Sequence, residues 1–142
     1  MVKVLYRRKR KRKRMKDVPN ALRTWFKIHF LVDMIFAMPL FLAPVWVLSQ
    51  FGLTTIDAVT PRLVASAMFA IGGTSLYAHK KGAEVFDTLL TLKIIWSSLA
   101  IIALLIALYE GAPKSIWGPT LTFVFFCCLW VYYKRKINYF TS

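Results

Sequence analysis

Four apolar stretches of about 20 residues, the length a helix needs to cross a hydrocarbon core of about 30 Å, run one after another through the chain. Short polar breaks separate them. The pattern predicts an all-α, polytopic membrane protein, an antiparallel four-helix transmembrane bundle. The first helix covers residues 25–48, with Pro39 and Pro44 kinking it. A polar loop over 51–61 follows. The second helix covers 62–78, with Thr60 as its N-cap and Pro61 in its first turn. It is short, so a tilt or a thinned bilayer is expected around it. His79-Lys80-Lys81-Gly82 makes a tight turn into the third helix, 84–109, whose first turn carries Glu84 and Asp87. Gly111-Ala112-Pro113 breaks that helix. The fourth covers 116–133 and ends at Lys134-Arg135-Lys136. The domain division is therefore a basic cytoplasmic arm (1–20), the transmembrane domain (21–136) and a cytoplasmic tail (137–142).

Composition supports the class and charge adds an orientation. Of 142 residues, 58% are hydrophobic and 15% aromatic, and Lys+Arg number 20 against 6 Asp+Glu. With four spans, the N-terminal arm, the turn at residues 79–82 and the C-terminal tail share one side. That side carries all the Lys and Arg except Arg62, Lys93 and Lys114. The positive-inside rule places both termini in the cytoplasm, with a prokaryotic plasma membrane as the expected location. Trp25, Tyr77, Tyr132 and Tyr133 mark the inner interface, and Trp46, Tyr109 and Trp117 the outer one. The first apolar stretch is too long for a signal-peptide core and lacks a small-x-small cleavage site, so it reads as a retained helix.

The arm carries eight consecutive cations, Arg7, Arg8, Lys9, Arg10, Lys11, Arg12, Lys13 and Arg14. Such a run repels itself and is expected to be disordered. One reading is a solvated tail that fixes topology. Another is binding to anionic lipid headgroups, at roughly 1 kcal/mol per basic residue near a charged leaflet. Nucleic acid fits less well, because no aromatic side chain interleaves with the cations to stack on bases.

Chemistry concentrates in one layer. Asp33 lies roughly 12 Å in from Trp25 and Lys93 roughly 13 Å in from Glu84, at 1.5 Å per residue. Both helices start from the inner side, so the two charges share a depth. His29 precedes Asp33 by four residues and shares its face. Ser97 lies one turn beyond Lys93, and Asp87 lies near the level of His29. These five form the candidate intramembrane polar cluster. Charges at such a depth pair, hydrate or snorkel. One reading is an Asp33–Lys93 ion pair that fixes which helix faces meet. Another is a small hydrated cavity where His29, Asp33 and Lys93 hold a ligand or relay a proton.

The second helix carries Ser66, Ala70 and Thr74 at a spacing of four, with Gly73 beside them, which predicts a close-packing face. Catalytic templates are missing. Cys127 and Cys128 are adjacent, without the Cys-x-x-Cys spacing of a thiol oxidoreductase. No metal-ligand spacing, nucleotide loop or haem-binding histidine pair is present, so no catalytic residue, metal or cofactor is assigned.

From about Leu22 to Arg135 the chain resembles small four-helix membrane proteins of the DoxX-like kind. The resemblance rests on the four-span layout with a short second helix, Arg62-Leu63, the Phe-Ala-Ile-Gly-Gly run at Phe69 to Gly73, and Leu-Lys-Ile-Ile-Trp-Ser-Ser at Leu92 to Ser98. It implies no catalytic motif. Some members are associated with quinol oxidase or redox assemblies. The leading expectation is a non-enzymatic accessory or scaffold subunit that meets anionic lipid and other membrane chains. The alternative is a binder or transporter of a small ligand (lipid, quinone or ion) that uses the polar layer.

Overall fold

The computed structural model describes residues 18–54 and 57–141, with side chains described as far as Ile137. The basic run Arg7 to Arg14, and the disorder expected of it, lie outside the described residues. All regular structure among the described residues is helical: α1 (Asn20–Leu42), α2 (Pro44–Gln50), α3 (Thr60–Ala78), α4 (Ala83–Tyr109), and a 3-10 turn (Lys114–Ile116) that leads into α5 (Trp117–Thr141). Three segments, Asn20–Leu42, Ala83–Tyr109 and Lys114–Ile137, are long and apolar enough to cross a membrane. The chain is accordingly an integral membrane protein. The helix expected as a further span, α3, falls outside these three. Its 19 residues suffice in length, but Arg62, two glycines and four Ser and Thr side chains dilute its hydropathy.

Two helix boundaries differ from expectation. The first expected helix is two. Pro39 is absorbed within α1, but Ala43 leaves helical geometry at φ −134°, ψ 60°, and Pro44 opens α2 at its first turn. Proline cannot continue the ladder, yet it fits a helix start. The Phe41 carbonyl freed at this break accepts from Arg62 Nε at 3.1 Å. At the other end of the chain, α5 runs through Lys134-Arg135-Lys136 to Thr141 instead of stopping there, so most of the expected tail is helix. No Gly or Pro follows Pro119, and Lys and Arg are good helix formers. Lys134 folds onto α4 and Ile137 is buried in the core, which holds this last stretch.

Glycine closes two helices. Gly52 (φ +77°) follows α2 and Gly111 (φ +96°) follows α4. In each case the glycine N–H donates to the carbonyl three residues back and the next N–H to the carbonyl five back, the pairing that satisfies a helix C-terminus. The start of α3 is capped by Asp57, not Thr60. Its Oδ1 accepts from the N–H of Thr60 at 2.7 Å and of Val59 at 2.8 Å.

The helices pack as two hairpins. α3 runs antiparallel beside α1: Arg62 meets Phe41, Gly72 meets Asp33, and Arg23 Nη1 donates to the His79 carbonyl. α5 runs antiparallel beside α4, with Ser98 Oγ 3.7 Å from Cys127 Sγ and Lys134 Nζ 2.8 Å from Thr91 Oγ1. Between hairpins, α1 and α4 run parallel and meet through long side chains. Phe26 lies 4.6 Å from Phe86 and 5.6 Å from Trp130, ring centre to ring centre. The core (Val18, Leu22, Phe26, Phe86, Leu90, Phe126, Trp130, Ile137 and neighbours) fills the half of the bundle near the termini. In the other half no residue of α4 beyond Ser97 is buried, and the two hairpins meet at their loops, where Ser115 Oγ donates to the Phe51 carbonyl and Pro113 lies against Gly52.

Candidate functional site

The inter-hairpin layer holds three ionisable side chains in contact. Lys93 is 1% exposed, His29 8% and Asp33 7%, so all three are removed from solvent and lipid. Lys93 Nζ lies 3.1 Å from His29 Nδ1. The same ring nitrogen lies 2.8 Å from Asp33 Oδ2. The carboxylate oxygen is nevertheless off the nitrogen's hydrogen-bonding direction and is buried without an aligned hydrogen bond. Lys93 and Asp33 therefore communicate through His29, and the direct ion pair expected from their matched depth is replaced by a chain of three. Depth alone could not show this. His29 shares a helix face with Asp33, and its ring fills the gap between the hairpins.

Aromatic rings close the site. Lys93 Nζ sits 5.3 Å from the Phe26 ring centre and 5.1 Å from that of Trp130, positions where the ring quadrupole favours a cation. The His29 ring meets Phe126 and Trp130 edge-on at 4.7 and 5.2 Å. Ser97 is buried beside Lys93, but its hydroxyl donates back to the Lys93 carbonyl at 2.7 Å, within its own helix. Trp130 Nε1 is buried without a hydrogen-bond partner among the described residues.

Asp87 does not join this cluster. It accepts from Lys134 Nζ at 2.5 Å, on a partly exposed face between α4 and α5. It lies nearly two turns before Lys93, and Lys134 comes within reach because α5 continues past the expected stop. The packing face expected on α3 is also corrected. Ser66, Ala70 and Thr74 are exposed, and a Cβ added at Gly73 would meet nothing within 4 Å. The buried face is Ala65, Ile71, Gly72, Ser75 and Ala78. A Cβ added at Gly72 would lie 3.0 Å from both Cβ and Oδ2 of Asp33. Two offset sets of small residues compete on α3, and the shape of α1 selects between them.

Sequence reasoning missed Arg23 and the ring box of Phe26, Phe126 and Trp130, and it placed Gly72 at the depth of the polar layer without assigning it the packing role. Arg23 donates to the His79 carbonyl and, at 3.2 Å, to that of Lys81. It thereby binds the carbonyl end of α3, which has no basic residue in its last turn. That vacancy was the sequence signal for a cation supplied from elsewhere.

Chemically, the site can hold a proton or keep a charge neutralised. Its donor set is one amine, one imidazole and one carboxylate. Among the described residues no group of three or more His, Cys, Asp or Glu could hold a metal ion. Cys127 and Cys128 are free thiols, the first half-buried and the second exposed. No protein-family model matches the sequence, and no curated protein or solved structure matches it either.

Proposed function

We propose that this protein is a four-pass accessory or scaffold subunit of a membrane complex, with both termini in the cytoplasm and no catalysis of its own. The observation that carries the reading is how the polar groups are used. Lys93, His29 and Asp33 face one another inside an aromatic box, so the residues best suited to ligand chemistry are spent within the fold. The outward surface is apolar by contrast. In the apolar 18-residue stretch of each long span only 17 to 22% of residues are fully buried within the chain, which leaves broad apolar faces to lipid or to other chains. Leu99, Ile102 and Ile106 make one exposed apolar face on the half of α4 beyond Ser97.

Four crossings are favoured because α3 accompanies α1 from Arg62 beside Phe41 to His79 beside Arg23, nearly the full length of α1. Packing against α1 shelters Gly72 and Ser75, and the outward Ser66 and Thr74 hydroxyls donate to the Arg62 and Ile71 carbonyls of their own helix, so they are satisfied without water. The basic side then gathers the arm, the Lys80-Lys81 turn and Lys134 to Lys136, where anionic headgroups are the expected lipid partner. A DoxX-like affiliation is part of this proposal.

The test is purification in a gentle detergent, with co-purifying chains and lipids quantified. A partner chain at a fixed ratio, lost when Leu99, Ile102 and Ile106 are together replaced by bulkier Trp while helicity is retained, supports the reading. A homogeneous monomer that binds a lipid or quinone stoichiometrically overturns it.

A further inference from the structure

His29 Nδ1 has two neighbours and one hydrogen-bonding direction. Lys93 Nζ at 3.1 Å can donate to it only when the nitrogen carries no proton. Asp33 Oδ2 at 2.8 Å can accept from it only when the nitrogen does. In the arrangement observed, Nδ1 is aligned to accept from Lys93, and Asp33 Oδ2 is buried without an aligned donor. Each protonation state of the ring satisfies one partner and strands the other. A buried charge or carboxylate left unpaired is costly, so neither state is comfortably dominant.

We infer that His29, Lys93 and Asp33 form a buried proton-binding site, in which uptake of one proton exchanges the Lys93–His29 contact between hairpins for a His29–Asp33 hydrogen bond within α1. The balance is simple. With Lys93 cationic, Asp33 anionic and His29 neutral, the cluster carries no net charge. A proton from water adds to the lone pair at Nδ1, no covalent bond between heavy atoms changes, and the cluster gains one positive charge. A small ring rotation then aims Nδ1–H at Oδ2. Lys93 keeps the faces of Phe26 and Trp130 but loses its acceptor and faces a cation instead.

The surroundings restrict which groups take part. From α1, Asp33 faces the ring. From α4, Lys93 does, while Ser97 is tied to the Lys93 carbonyl. α5 contributes Phe126 and Trp130. α3 contributes the backbone of Gly72 against Asp33, and the Ser75 hydroxyl is tied to Ile71. Asp87 is held by Lys134. The site also sits where the hairpins meet, so proton uptake acts on the contact between them. This goes beyond a scaffold role, and would give such a subunit a response to the proton.

The experiment is 15N NMR of the full chain in lipid nanodiscs, with labelled histidine and lysine and His79→Gln to isolate the His29 ring signals. At high pH, wild type should show Nδ1 unprotonated and Nε2 protonated. Lys93→Met should switch the tautomer, placing the proton on Nδ1 to serve Asp33. On acidification through the pH at which His29 takes up its proton, the wild-type His29 and Lys93 Nζ signals should move together in one step. An unchanged tautomer in a folded Lys93→Met protein overturns the inference. If that variant does not fold, the wild-type titration decides alone: a single shared step supports the site, and separate steps, or none, overturn it.

Discussion

Gly72 on α3 rests against Asp33 on α1 so closely that a single added carbon would lie 3.0 Å from two of the Asp33 side-chain atoms. The absence of a side chain at Gly72 sets how near the helices come, and so where Asp33 stands relative to His29.

Gly72→Ala should destabilise the protein. Alanine improves helix propensity by about 1 kcal/mol, but overpacking a tight interface costs about 1–3 kcal/mol, and the neighbour that must yield is anchored to α1. Gly73→Ala, in the next position, meets open space and should gain up to about 1 kcal/mol of stability. Thermal melting in one detergent gives both signs. A higher melting temperature for Gly72→Ala than for Gly73→Ala would show that the close approach is absent.

Much of this fold was legible because its punctuation is chemical. Gly111 ends α4 through a left-handed residue that few others tolerate, and α4 was read to within one residue of its start. The polar layer was legible too, since Asp33 and Lys93 are costly in lipid and their depths follow from helix rise alone. What depth cannot give is rotation about the helix axis. Hence Lys93 was matched to Asp33 when it contacts His29, and the small residues of α3 were assigned to the wrong face. Lys134 to Lys136 read as a stop because charge marks a membrane edge, but a membrane edge need not end a helix. Asp87, one turn from where α4 begins, was then grouped with the wrong neighbours.

Asp57 gives a pH dependence outside the membrane. The N–H of Thr60, and then that of Val59, hold its carboxyl below the ordinary value of 3.8. A depressed carboxylate stabilises the fold above its unfolded value, and that contribution is lost as pH falls through the lower, folded value. The start of α3 should therefore stay ordered at pH 4 and fray only on further acidification. Amide exchange of Val59 and Thr60 followed downward from about pH 5 would detect this. In Asp57→Ala the same amides should exchange quickly at every pH, and equal protection in both proteins would remove Asp57 as the cap.

Orientation is testable by chemistry at two positions. With Cys127 and Cys128 replaced by Ala, single cysteines at Ser142→Cys and Thr55→Cys should label from opposite sides. A membrane-impermeant thiol reagent added to intact cells should reach position 55 and not position 142. Labelling of both positions from outside would mean an odd number of crossings, which would take α3 out of the set of spans, and labelling of position 142 alone would invert the orientation.

The coupling inside the polar layer should follow contact, not formal charge. Lys93 touches His29, and His29 touches Asp33, while Asp33 and Lys93 make no direct contact. His29→Phe keeps an aromatic ring of similar size against Phe126 and Trp130 but removes the acceptor for Lys93. A cation stranded in an apolar layer costs at least about 2.5 kcal/mol, so this change alone should lower stability substantially. Adding Lys93→Met in that background removes the stranded charge and should recover part of the loss, with a coupling of about 0.5–3 kcal/mol for groups in contact. The cycle pairing Asp33→Asn with Lys93→Met should give a smaller coupling, because no atoms of that pair share a hydrogen bond. Reversible unfolding in mixed detergent supplies all four corners of each cycle. If the Asp33–Lys93 coupling proves the larger, the two charges meet directly in the membrane and His29 is a bystander to their pairing.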